Sequence, residues 1–85
     1  MKDKVEIKTY YYSSGNKHWE TPYVNGNIHG LYKYWYENGN KKYETPYVNG
    51  KRHGLETWWY SNGNKRYETP YKNDQQHGAN IIFKI

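Results

Sequence analysis

The chain contains no cysteine, one methionine and one alanine, and no apolar run approaches the length of a membrane span. Without cysteine there are no disulfides, no thiol nucleophile and no Cys-ligated zinc. The N-terminal stretch MKDKVEIK carries charges where a signal peptide has its apolar segment, so a cytoplasmic protein without membrane association is expected. Ala, Val, Ile, Leu and Met together supply only 12 of the 85 residues, which excludes a conventional aliphatic core. In their place stand 12 Tyr, 4 Trp and 1 Phe. Most of these rings carry a polar group that prefers a hydrogen-bond partner or water, so they suit half-exposed surfaces better than a sealed interior. The net charge of +5 and pI near 9.3 favour an acidic partner, either nucleic acid or an acidic protein surface. Abundant Lys, Asn and Tyr match AT-rich codon usage and point to a low-GC bacterium or one of its phages.

Self-comparison finds residues 12–35, 36–59 and 60–83 aligned without a gap at a period of 24. Eleven positions agree in all three copies, in the first copy Tyr12, Gly15, Asn16, Lys17, Glu20, Thr21, Pro22, Tyr23, Asn25, His29 and Gly30. Residues 1–11 align with the second half of a copy, and 84–85 form a tail, so the chain reads as one repeat domain over 1–85. Ile81, Ile82 and Phe83 replace the rings of the last copy, as expected of a terminal unit. Within each copy, aromatic or β-branched runs are separated by Asn-Gly pairs at 25–26, 38–39, 49–50 and 62–63, the strongest short-range hairpin signal. The expectation is an all-β, single-layer antiparallel meander of about seven strands, near 4–12, 17–23, 30–36, 41–47, 54–60, 65–71 and 78–84. Helix has no support, because there is no 3.6-residue period and Gly or Pro recurs every few residues.

Two-residue turns at the Asn-Gly pairs would set Tyr34 opposite Tyr43, Trp35 opposite Lys42 and Lys33 opposite Glu44. The same scheme sets Tyr10 opposite Trp19, Trp58 opposite Tyr67 and Trp59 opposite Arg66. Alternation then sorts Tyr10, Tyr12, Trp19, Tyr23, Tyr32, Tyr34, Tyr36, Tyr43, Tyr47, Trp58, Tyr60, Tyr67 and Tyr71 onto one face. The other face takes Tyr11, Trp35, Trp59 and Phe83 with the Pro, His and Leu of each copy and Lys-Glu pairs. Pro22, Pro46 and Pro70 fall inside strands, where a missing N–H is tolerated mainly at edges and bulges. A bulge at Thr-Pro would move Tyr23, Tyr47 and Tyr71 to the other face.

Copies of the form YENGNKKYETPYVNGKRHGLETWW resemble the MORN-variant repeat, the Tyr- and Gly-rich hairpin unit of bacterial proteins grouped as YwqK-like antitoxins of toxin-antitoxin systems. The resemblance spans nearly the whole chain and implies a non-catalytic, single-sheet binding module. In the last copy Lys72, Asp74, Gln75 and Gln76 depart from the pattern, so a different final turn is expected.

Candidate chemistry among the repeated polar residues is thin. His29, His53 and His77 sit two strands apart, about 9.6 Å, whereas zinc ligands converge within about 2.1 Å of one ion. They read as histidines packing beside a glycine, and neither a metal nor another cofactor is expected. Glu20, Glu44 and Glu68 have a spacing loosely compatible with an inverting glycosidase pair. Each faces Thr9, Lys33 or Thr57 in the expected ladder, and catalytic carboxylates need unlike environments, so they read as structural pairs. Ser13, Ser14 and Ser61 lie in turns without an acid-base partner, and the chain is not expected to be an enzyme.

The rings remain. A single sheet has two faces, and an uncovered aromatic face is either closed by a second copy in a homodimer or used as a binding surface. Three functions follow: an inhibitor that masks a partner protein, a single-stranded nucleic-acid binder, and an aromatic-cage binder of glycan or choline. The basic residues are scattered among glutamates rather than contiguous, which favours the first. The expected partner is a toxin or an immune nuclease complex, blocked as an antitoxin or an anti-CRISPR would block it. Tyr32, Tyr34, Tyr36, Tyr43, Tyr47, Trp58 and Tyr60, at the middle of the tyrosine face, are the expected binding surface.

Overall fold

The computed structural model describes residues 2–83, and their ordered elements are all strands. They are β1 (Val5–Tyr11), β2 (Lys17–Val24), β3 (Asn27–Ile28), β4 (Gly30–Trp35), β5 (Lys41–Val48), β6 (Lys51–Arg52), β7 (Gly54–Trp59), β8 (Lys65–Lys72), β9 (Gln75–Gln76) and β10 (Ile81–Ile82). They form one open antiparallel sheet in the order β1-β2-β4-β5-β7-β8-β10, with the two-residue strands β3, β6 and β9 completing the hairpins that leave β2, β5 and β8. The expected all-β meander is therefore the fold. Six of its seven main strands match the expected ranges to within a residue at each end; of the seventh, expected over 78–84, only Ile81–Ile82 is strand among the described residues, and Lys84 and the tail 84–85 lie outside them. The sheet measures 48 × 37 × 13 Å, one layer thick.

Two kinds of turn alternate. At Asn25-Gly26 and Asn49-Gly50 both residues have positive φ (51° and 84°, 49° and 84°), the two-residue turn whose twist matches antiparallel strands. The last copy keeps this turn with Asn73 at 50° and Asp74 at 68°, so the expected difference there is absent. Asp74 tolerates the conformation because it caps its neighbour: its carboxylate accepts the Arg52 backbone N–H at 2.8 Å and the Arg52 Nε at 3.2 Å.

The Asn38-Gly39 and Asn62-Gly63 turns correct the expectation. Gly39 N–H donates to the Tyr36 carbonyl at 3.0 Å and Tyr36 N–H to the Asn40 carbonyl at 2.8 Å. Gly39 alone takes positive φ, 95°, which makes a three-residue loop followed by a bulge. The register consequently slips by one: Trp35 pairs with Lys41 and Trp59 with Lys65, not with Lys42 and Arg66. The pairs Tyr34–Tyr43, Lys33–Glu44, Tyr10–Trp19 and Trp58–Tyr67 stand as expected.

The prolines are accommodated without inverting the strand. β1 and β2 stay in continuous register through Thr21 and Pro22, so Tyr23, Tyr47 and Tyr71 remain with the other tyrosines. The irregularity falls on the opposite side. Tyr23 pairs with Ile28 and Glu20 with Lys33, so residues 29–32 face only 21–22. His29 N–H donates to the Pro22 carbonyl at 3.1 Å, and the missing proline donor points into the stretch where the ladder is already open. Glycine follows for a steric reason at Gly54, whose φ is 126° and where a Cβ would stand 2.7 Å from the Pro46 Cγ.

Among the described residues no apolar side chain is buried; the buried ones are Thr21, Thr45, Glu56, Thr57, Glu68 and Thr69. Cohesion comes from the backbone ladder and from rings and cations stacked over these small polar residues, rather than from an aliphatic core.

Candidate functional site on the tyrosine face

Strand alternation and the observed register place all seven expected site residues on one face, each half-buried. Their rings form two stacks. The first runs Tyr10 to Trp19 (4.4 Å between ring centres) and Trp19 to Tyr34 (6.1 Å). The second runs Tyr43 to Trp58 (4.5 Å) and Trp58 to Tyr67 (6.0 Å), with Tyr32 set edge-on to Tyr43 at 5.6 Å and Tyr47 beyond it at 6.3 Å. Between the stacks lies a shallow open depression of about 350 Å³ lined by Tyr32, Tyr34, Lys42, Tyr43 and Trp58. Tyr36 and Tyr60 are drawn to the hairpin ends, where the Tyr36 hydroxyl donates to the Trp59 carbonyl at 2.8 Å. They form the rim of the cluster rather than its centre.

The bulges decide where the cations go. Lys42 is the extra residue at the Tyr34/Trp35 irregularity, and its Nζ lies 5.2 Å from the Tyr34 ring and 5.6 Å from that of Tyr36. Arg66 repeats this over Tyr60 and Tyr67, both at 5.7 Å. In the first copy the position belongs to His18, which stacks on Tyr12 at 3.9 Å and is hydrogen-bonded to the Tyr34 hydroxyl at 2.7 Å. Counting along two-residue turns assigns Lys42 and Arg66 to the opposite face, and the bulges reverse that assignment. His18 is absent from the expected site, although a ring in a column otherwise filled by Lys and Arg was a signal.

Beneath the rings is a polar layer that sequence reasoning missed. Thr45, fully buried, donates its hydroxyl to Glu56 Oε1 at 3.0 Å, and Trp58 Nε1 donates to Glu56 Oε2 at 3.2 Å. Glu56 occupies the column of Lys8, Tyr32 and Asn80, the variable position in the middle of the repeat. Arg52 approaches it at 3.9 Å and covers the Tyr71 ring at 4.1 Å. Burial pushes the phenols of Tyr32 and Tyr47 above the ordinary tyrosine range, with neighbouring Tyr43 adding to the effect. These hydroxyls remain protonated, able to donate as well as accept.

The other face carries repeated ion pairs, with Tyr11, Leu31 and Leu55 left exposed beside them. Lys17, Lys41 and Lys65 bridge to Glu20, Glu44 and Glu68 at 3.2, 2.7 and 3.1 Å. The same three ammonium groups lie 5.4, 5.4 and 5.7 Å from the rings of Trp35, Trp59 and Phe83. The glutamates thus have the structural pairing expected of them. Burial tends to raise the Glu20 carboxyl, but hydrogen bonds from Lys17 and Thr9 outweigh it and hold it below its usual range. Among the described residues, no three His, Asp or Glu side chains converge as metal ligands, and no helix is long and apolar enough to cross a membrane.

A family model described as MORN repeat variant matches residues 28–49 and 52–73, just over half of the chain. Each matched segment runs from the second half of one 24-residue copy into the first half of the next. No curated protein and no solved structure matches the chain.

Proposed function

Since the chain belongs to the MORN repeat variant family, a family of binding repeats, we propose that it is a non-catalytic module that binds and inhibits a larger partner protein through its tyrosine face. The observation that carries this reading is the pair of ring stacks flanking an open depression on a sheet 13 Å thick. A one-layer sheet has no second layer to cover its aromatic face, and half-exposed Tyr and Trp are the side chains that most often anchor protein interfaces. Trp19, Tyr34, Tyr43, Trp58 and Tyr67 each have a ring neighbour on at least one side, which leaves fewer free ring faces. That arrangement suits a hydrogen-bonding protein surface better than bases, which need a free ring face. On the opposite face the rings of Trp35, Trp59 and Phe83 are capped by lysines already paired with glutamates, which leaves Tyr11 as the free ring there among the described residues. Masking of this kind suits a toxin, as in an antitoxin, or a nuclease complex of bacterial immunity, as in an anti-CRISPR.

The test is capture by tagged protein from the cells that encode it, with wild type beside Tyr34→Ala and Trp58→Ala. A stoichiometric protein that survives nuclease treatment, tolerates salt and is lost with either variant while the sheet stays folded is the expected result. Nucleic-acid binding would instead weaken about 10³- to 10⁵-fold between about 50 and 200 mM salt if 6 to 10 phosphates were neutralised. Such a slope, with tight binding to naked single strands, would overturn the inhibitor reading.

A further inference from the structure

The two edges of the sheet are unequal. Among the described residues β10 pairs with β8 through Ile81 and Ile82, extended by the Phe83 N–H donating to the Arg66 carbonyl at 2.9 Å. β1 pairs with β2 through seven residues and, among the described residues, leaves its other side open, with no proline and with Val5 and Ile7 66% and 63% exposed. A long open edge is a template for another strand unless something blunts it.

The open backbone groups can be identified. Asn25 N–H donates to the Lys4 carbonyl at 2.8 Å, and Lys4 N–H donates to Asn25 Oδ1 at 2.9 Å. The peptide groups of Lys4 therefore face β2, and by alternation those of Val5, Ile7 and Thr9 face outward. Glu6, Lys8 and Tyr10 pair with Tyr23, Thr21 and Trp19, which puts them on the tyrosine face.

We propose that β1 is a self-pairing edge, joining the β1 of a second copy antiparallel about a twofold axis at Ile7. In this register Ile7 meets Ile7 of the second copy as a hydrogen-bonded pair, and Val5 meets Thr9. Glu6 stands opposite Lys8 of the second copy, and Lys8 opposite Glu6, giving two opposite-charge pairs. Outward groups pair in any register whose axis falls on a residue. Axes at Glu6 and Lys8 set two like charges directly against each other, which is destabilising. An axis at Thr9 sets Lys8 opposite Tyr10 and gains no charge pair, and one at Val5 leaves only Val5 of β1 paired. Charge and overlap therefore select the axis at Ile7. Glu6 now has only Lys4 at 3.4 Å, an exposed contact, and Lys8 lies over the Tyr23 ring at 5.3 Å, so either can turn to a partner across the edge. The axis stands perpendicular to the sheet, so both tyrosine faces look the same way and the ring-bearing surface is doubled. The pairing is independent of what that surface binds.

The test is sedimentation equilibrium over a concentration series on wild type, Glu6→Lys, Lys8→Glu and an equimolar mixture of the two variants, with circular dichroism confirming the fold. Each variant sets like charges opposite each other twice, and association is expected to weaken by about tenfold or more. The mixture sets an edge bearing lysine at both positions against one bearing glutamate at both, and should recover association. Because the chain has no cysteine, Ile7→Cys provides a register probe. Cα atoms of a hydrogen-bonded antiparallel pair stand about 5.5 Å apart, within disulfide reach, so Ile7→Cys should form a linked dimer and Lys8→Cys should not. A chain that stays monomeric across the series, or a dimer indifferent to both charge reversals, overturns the proposal. So does preferential linkage through Lys8→Cys.

Discussion

Tyr34 and Tyr43 are directly paired across β4 and β5, yet their rings lean to opposite sides. Tyr34 stacks toward Trp19 at 6.1 Å, and Tyr43 toward Trp58 at 4.5 Å. The divergence opens the depression between them and leaves Lys42 at its margin. His18 helps hold Tyr34 in place through its bond to the hydroxyl.

Trp58 is the hinge of the second stack and a donor to Glu56. Trp58→Ala should cost about 2 to 3 kcal/mol, as two ring contacts and one hydrogen bond to a buried carboxylate are lost. Trp58→Phe keeps the stacking and should cost about 1 kcal/mol. Urea unfolding checks both, and equal costs would mean that stacking contributes nothing.

Gly54 combines a φ of 126° with the Pro46 ring, 2.7 Å from where a Cβ would stand. Gly54→Ala is expected to destabilise by about 2 kcal/mol or more, and Gly54→Val by enough to unfold the middle of the sheet. Gly50→Ala, at φ 84° with open space around it, isolates the backbone strain and should cost about 1 kcal/mol. Removing the ring with Pro46→Ala should make Gly54→Ala less costly, a coupling that a double-mutant cycle measures.

Stability should fall at both ends of the pH scale. The folded Glu20 carboxyl ionises below its ordinary range, so its contribution is complete above the unfolded value of about 4.3 and is lost as pH falls through the folded one. Tyr32 and Tyr47 have raised values. Their contribution is complete below the unfolded value of about 10 and is lost as pH rises through the folded one. Urea midpoints against pH should show both arms, with the acid arm shallower in Glu20→Gln and the alkaline arm shallower in Tyr32→Phe.

Asp74 is a non-glycine residue at a φ of 68° held by Arg52. Asp74→Ala keeps the strained backbone and loses the carboxylate, so a loss of stability is expected. Asp74→Gly also loses the carboxylate but relieves the strain, and should cost less than Asp74→Ala. Thermal unfolding of the pair checks the order.

The 24-residue period, the Asn-Gly signals and the alternation of rings were enough to determine the all-β meander, its strand order and the common face of the seven tyrosine and tryptophan residues expected to form the site. These are local properties: a two-residue side-chain period and short connections leave an antiparallel neighbour as the natural partner for each strand. The tertiary structure decided the rest. Asn-Gly is compatible both with a two-residue turn and with a three-residue turn ending in a bulge, and the dipeptide alone does not separate them. Asn38 Nδ2 reaches the Ser61 carbonyl at 2.8 Å and the Tyr36 hydroxyl reaches the Trp59 carbonyl at 2.8 Å. That one-residue difference moved Lys42 and Arg66 onto the tyrosine face and brought Lys41 and Lys65 opposite Trp35 and Trp59. The gap between Tyr34 and Tyr43 was likewise invisible in sequence. Paired backbone positions fix where two rings begin, whereas the direction in which each ring leans depends on neighbours from other strands.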